Sequence, residues 1–171
     1  MTKKLSISKL KDEAKVFDEF VEIDVDVNGE EYTVKMYPYF KPEKIRDLVN
    51  ELTEFFQKAK EEKLEIPKIE EDDLIAFFIC KHFTDIKFTT SKKVKKIYEE
   101  FKLLINSSLF KVLSKSFPQE SVAQVFDRIF EIIETNAVLE NKFKQTQEII
   151  KNLPLENKDV LFKQNKQIPE V

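Results

Sequence analysis

The sequence predicts a mainly α protein, a multi-helix bundle carrying one N-terminal β-hairpin turned at Asn28-Gly29. Three observations predict it. There is one glycine in 171 residues, against a usual share of about 7%, which is too few for the turns of β-sandwiches, P-loops or nucleotide-binding α/β folds. Sixteen phenylalanines and no tryptophan supply large apolar side chains to a core. Finally, apolar residues recur at helical spacing along most of the chain, and one stretch alone alternates with period two.

The alternating stretch is Phe20 to Tyr37. Val21, Ile23, Val25 and Val27 interleave with Glu22, Asp24 and Asp26, as in a half-buried strand. Asn28-Gly29 supplies the two positive-φ positions of a type I′ turn. Folding about that turn opposes Val25 to Tyr32, Ile23 to Val34 and Val21 to Met36, so apolar residues share one face. Glu22 then faces Lys35, and Asp24 faces Thr33, on the other. A slip of one residue breaks every pair. Two strands are marginal alone, so the apolar face must rest on helices or on a partner.

Before the hairpin, residues 1–17 read as a flexible arm with a short helix around Lys9–Val16. After it, Pro38 ends the second strand and Pro42 takes the first position of a helix. Ile45, Leu48, Val49, Leu52, Phe55, Phe56 and Ala59 form that helix's apolar stripe, which frays near Lys63. Asp72-Asp73 are placed to cap a third segment, apolar from Leu74 to Phe83 and hence central. From about Ser91, Val94, Ile97, Tyr98, Phe101, Leu104 and Ile105 mark another amphipathic helix. Asn106-Ser107-Ser108 interrupts it before a short helix, Leu109–Ser116. Ser116-Phe117-Pro118 opens the last helix, whose expected buried stripe is Val122, Val125, Phe126, Ile129, Phe130, Ile133 and Ala137. It either runs through or kinks near Thr135-Asn136. The helical domain with its hairpin is expected over residues 18–152, and residues 153–171 read as a polar C-terminal tail.

Composition narrows the function classes. Twenty-nine basic and 32 acidic side chains leave a net charge of −3, which argues against nucleic acid as the partner. No apolar run reaches 18 residues, so neither a transmembrane helix nor a membrane partner is expected. The opening MTKKLSISKLKDEAK lacks the apolar core of a secretory signal. The lone cysteine excludes a disulfide framework and fits a reducing compartment.

The sequence offers no catalytic, metal or cofactor set, and the expectation is a protein that is not an enzyme. Cys80 and His82, two apart on a helix, point about 200° apart and cannot share a metal or form a dyad. Glu70, Glu71, Asp72 and Asp73 are explained by a helix start. Asp24 and Asp26 are explained by the wet face of the hairpin. Lys92, Lys93, Lys95 and Lys96 form the best basic patch. Glu99 shares their helical face, and Arg46 and Arg128 are the only arginines. Tyr37, Tyr39 and Phe40 bracket Pro38. They read as packing the hairpin onto the helices or, alternatively, as an exposed partner-binding edge.

The run Tyr32-Thr33-Val34-Lys35-Met36-Tyr37-Pro38-Tyr39-Phe40-Lys41-Pro42-Glu43-Lys44-Ile45, continuing through Leu48-Val49-Asn50-Glu51-Leu52, resembles a known family. So does the block Ile75-Ala76-Phe77-Phe78-Ile79-Cys80-Lys81-His82-Phe83-Thr84. Over residues 20–135 the chain resembles the mostly helical tail assembly chaperones of long non-contractile-tailed bacteriophages and related prophages. The resemblance implies a protein of the host cytoplasm that binds and solubilises the tape measure protein. It also implies help in recruiting tail tube protein, and absence from the finished virion. In many relatives a frameshift adds a C-terminal extension; the polar end of this chain suits a linker to one and an ordinary tail equally.

Such a chaperone needs exposed apolar grooves for client helices. The expected partner surface is the hairpin face, Val21, Ile23, Val25, Tyr32 and Val34, with the Tyr37, Tyr39 and Phe40 corner. The same kind of surface would also permit a homo-oligomer. Two readings compete with the chaperone: a structural virion or connector protein, and a lysine-led nucleic-acid adaptor.

Overall fold

A computed structural model of the chain describes residues 4–152, with side chains up to residue 145. It is mainly α with one antiparallel hairpin, as predicted. In order, the elements are α1 (Ile7–Ala14), a 3-10 turn (Lys15–Asp18), β1 (Val21–Val27), β2 (Glu30–Met36), α2 (Pro42–Glu61), a second 3-10 turn (Lys68–Glu70), α3 (Glu71–Phe83), α4 (Val94–Ile105), α5 (Ser108–Ser116) and α6 (Gln119–Asn152). The chain divides into two compact units, Met1–Ile129 and Phe130–Val171. The expected tail, 153–171, lies outside the described residues.

The hairpin has the predicted register. Val21 pairs with Met36, Ile23 with Val34 and Val25 with Tyr32, while Glu22 faces Lys35 and Asp24 faces Thr33. Asn28 and Gly29 take φ of 58° and 84°, the left-handed values a type I′ turn requires. Asp26 accepts a hydrogen bond from the Gly29 amide at 3.1 Å. The Thr33 hydroxyl donates to Asp24 at 2.8 Å.

The segment after α3 adds what the alternation pattern did not reveal. Thr84 is extended and bridges Met36 in antiparallel fashion. The Tyr37 amide donates to Phe83 O at 2.9 Å and the Asp85 amide to Lys35 O at 3.0 Å. The Asp85 carboxylate accepts from the Lys35 amide at 2.9 Å. These bonds occupy the outer edge of β2 near its end and fix the hairpin to the helices.

α2 begins at Pro42 and buries Ile45, Leu48, Val49, Leu52, Phe55 and Ala59; Phe56 is half-exposed. It does not fray at Lys63. Lys63 takes φ 55°, the Leu64 amide donates to Ala59 O at 2.8 Å and the Lys63 amide to Lys60 O at 3.2 Å. That pair of bonds is a Schellman closure, here with lysine where glycine is usual.

α3 is the central helix. Leu74, Phe77, Phe78, Ile79, Cys80 and Phe83 are buried, and it packs against α2, α4 and α5. Its expected Asp72-Asp73 cap is corrected. The helix starts at Glu71 with no side-chain cap, so the two aspartates sit in the first turn, where they complement the dipole. Phe77 meets Phe78, Phe88 and Phe101 edge-on, with centroids 5.3, 5.5 and 5.8 Å away. α4 buries Val94, Ile97, Phe101 and Leu104. Ser107 caps α5 by accepting from the Phe110 amide, and α5 packs against β1.

The stripe expected on the last helix is corrected too. Only Val125 is fully buried. Val122, Phe126 and Ile129 are half-exposed, and Phe130, Ile133 and Ala137, in the second unit, are exposed. The helix is continuous through Thr135-Asn136. Periodicity marks a helix face, but it carries no information on whether the chain itself covers that face.

Candidate functional site

The corner after β2 splits by residue. Phe40 is 1% exposed. It stacks on Phe83 with centroids 3.7 Å apart and meets Phe117 edge-on at 5.6 Å. This corrects Phe40 as an exposed edge residue: its ring is core and holds the corner onto α3. Tyr39, its neighbour, is 46% exposed. Tyr37 is half-exposed, meeting Phe20 at 6.2 Å with the Lys44 ammonium 5.0 Å above its ring. Ser121, buried in the first turn of α6, donates to Pro38 O at 2.7 Å, so the corner's backbone is also pinned.

The hairpin face splits similarly. Val25, Val34 and Met36 are buried, Ile23 is half-exposed, and Val21 and Tyr32 are exposed. Val25 and Val34 are therefore core, and the surface left to a partner is Val21, Tyr32, Tyr37 and Tyr39, with Ile23 in part. The Tyr32 hydroxyl donates to Glu30 at 2.5 Å, and that carboxylate raises the phenol above its ordinary range. Lys35 lies 4.4 Å over Phe20, a cation–π contact that shields one exposed ring.

A second cluster joins α2 to α3. Glu51 receives Lys81 at 2.5 Å on one oxygen and lies 2.8 Å from His82 Nε2 on the other. The His82 hydrogen bond, and then Lys81, hold the half-buried carboxyl down to about 2, against the pull of burial. A cleft of about 770 Å³ opens beside it, lined among others by Asp47, Lys58, Lys87 and Thr89. Both Glu51 oxygens are engaged, so the carboxylate serves to brace the two helices. Cys80, two residues from His82, is buried, and burial pushes its thiol up to about 12. The two side chains do not meet.

A third cluster lies at the start of α3. The Tyr98 hydroxyl donates to Glu70 at 2.7 Å and Lys102 donates to the other oxygen. Lys102, and then Tyr98, hold the Glu70 carboxyl below its ordinary range. The sequence pointed to neither cluster, because each unites residues about 30 positions apart. The one available signal was polar residues bordering apolar stripes, as Glu51 borders Leu48, Leu52 and Phe55.

Among the described residues no group of three or more His, Cys, Asp or Glu is placed to hold a metal, and no helix is long and apolar enough to cross a membrane. Lys92, Lys93, Lys95 and Lys96 are exposed around the start of α4, with Lys92 3.9 Å from Glu54.

The chain matches the family model YomO over residues 7–167. It is 29% identical over 128 residues to the SPbeta prophage-derived uncharacterized protein YomO of Bacillus subtilis (strain 168), an alignment spanning 74% of this chain and 73% of that protein. No solved structure matches it. The resemblance to phage proteins is thus met at a coarse level, as similarity to a prophage-derived protein.

Proposed function

The chain belongs to the YomO family, and from that premise we propose that it is a prophage-encoded tail assembly chaperone. In this reading it binds and solubilises the tape measure protein in the host cytoplasm and helps recruit tail tube protein. It works by binding, without a catalytic step.

One observation carries the reading. Large apolar side chains stay on the surface of a chain that has already buried a phenylalanine-rich core. Phe20, Val21, Tyr32 and Tyr39 are exposed at the hairpin and its corner. Aromatic residues at a surface are favoured anchors for a partner, and contiguous exposed apolar area marks interaction sites. The client is a long amphipathic helix, for which apolar anchors at i, i+3 and i+4 spacing fit such a surface.

The test is co-expression with the tape measure protein encoded nearby, followed by pull-down and size exclusion. The expected result is a soluble complex that forms only when both chains are present. Tyr32→Ser with Tyr39→Ser should weaken it while far-UV circular dichroism stays unchanged. A client that remains insoluble and unbound sinks the proposal. Recovery of this chain from purified particles would instead favour a virion or connector component, and DNA binding that falls steeply with salt would favour an adaptor.

A further inference from the structure

The second half of α6 carries apolar residues that the hairpin surface does not explain. Assigning heptad positions from Val122 makes Val122, Ile129, Asn136, Phe143 and Ile150 the a positions and Val125, Ile132, Leu139, Thr146 and Leu153 the d positions. Eight of these ten are apolar, a 3.5-residue repeat sustained over more than four heptads. Early in the register, Val125 is consumed by the core. In the second unit the seam is open: Leu139 is 58% exposed, Phe143 48%, and Ile133 beside them 57%.

We propose that a second copy of this chain covers this face, forming a parallel, in-register two-helix coiled coil over residues 132–152 of α6. Asn136 decides the occupant. It stands at an a position among Ile132, Leu139 and Phe143, and burying its amide without a hydrogen-bond partner is costly. A parallel, in-register copy brings an identical Asn136 opposite, the arrangement by which a lone a-position asparagine sets register and oligomer state. In an antiparallel pair, a positions face d positions. Asn136 would then meet Ile132, Leu139 or Thr146 according to register, and never a second Asn136.

The flanking charges agree. Across the parallel pair Thr135 faces Glu140 of the second copy, so no like charges meet there. The a, d, e and g positions over this stretch number twelve per copy. At about 40 Å² per interface residue they cover about 1,000 Å² in the pair, the lower bound for a specific interface. An interface at that lower bound belongs with weak, transient contacts, so a reversible association with dissociation on the order of micromolar is expected.

The experiment is sedimentation equilibrium of the full chain alone, from about 1 to about 100 μM, bracketing that affinity. The expected mass rises from one chain toward two. Leu139→Glu with Phe143→Glu, both surface positions, should hold it at one chain while the amides of Phe77 to Cys80 keep their slow hydrogen exchange, the sign of an intact first unit. Orientation is read separately. Cys80 is buried, so Asn136→Cys introduces the accessible thiol and should oxidise to a disulfide-linked dimer. Asn141→Cys, at the outward f position, should not. A one-chain mass throughout, or a dimer indifferent to the double substitution, overturns the proposal. Cross-linking at residue 141 but not 136 overturns the parallel register. A chain that stays monomeric and takes up an amphipathic peptide on this face assigns the face to a client. No tape measure protein is present, so failure here leaves the chaperone reading untouched.

Discussion

Phe40 and Tyr39 are adjacent and do opposite jobs. Phe40 lies between Phe83 and Phe117 at 3.7 and 5.6 Å, so Phe40→Ala should cost about 3–5 kcal/mol in urea unfolding. Tyr39→Ala, at an exposed site, should stay within about 0.5 kcal/mol. Lys63 is the reverse case, a residue the fold constrains. Its φ of 55° is unfavourable for a side chain bearing a Cβ, and Lys63→Gly should raise stability by up to about 1 kcal/mol. Glu51 adds a pH dependence. Its folded carboxyl lies near 2 against an ordinary 4.5, so the unfolded chain takes up the proton first. The Glu51 contribution is complete above about pH 4.5 and is lost as pH falls toward 2. It is worth at most about 3 kcal/mol, and less to the extent that solvent screens the half-exposed pair. Glu51→Gln should therefore destabilise the chain at pH 6, with the deficit closing as acid is added. A deficit independent of pH between 6 and 2.5 would assign the loss to something other than the charge.

Between elements, legibility followed the range of the interaction. The hairpin was readable because turn chemistry and period-two alternation both lie within the 16 consecutive residues from Val21 to Met36. The starts of α2 and α5 were readable from Pro42 and from the Asn106-Ser107-Ser108 break for the same reason. The third strand-like segment at Thr84 was not, since its bonds link Lys35 to Asp85 across the whole of α2 and α3. Nor were the Glu51–Lys81–His82 and Glu70–Tyr98–Lys102 clusters, whose partners only the tertiary fold brings together. The candidate surface was half-legible. Sequence alternation placed Val21 to Val34 on one face but could not tell that α5 and the core would take Val25 and Val34 and leave Val21 and Tyr32. Asp85 tests the strand-like segment. Asp85→Ala removes the acceptor for the Lys35 amide, which should then exchange hydrogen at least tenfold faster, while amides in the centre of α3 keep their rates.

At the scale of the molecule, stability is unevenly divided. The first unit holds the aromatic cluster around Phe77 and a central helix with six fully covered apolar residues. The second unit, as described to residue 145, shows no fully buried side chain. An isolated helix of this length is marginal in water, and local opening energies follow buried apolar contact. Hydrogen exchange on the intact chain at about 1 μM, a concentration favouring the dissociated form, should therefore show two classes. Amides of Phe77 to Cys80 should exchange only with global unfolding, and those from Phe130 to Phe143 orders of magnitude faster. Raising the concentration a hundredfold separates two causes of protection in the second class. Protection conferred by a covering copy grows with concentration and disappears in the Leu139→Glu, Phe143→Glu chain, whereas protection intrinsic to the helix does neither. Uniform protection along α6 at every concentration would mean that the exposed face of its second half is stabilised within a single chain, and would count against both the uneven division and the paired helix.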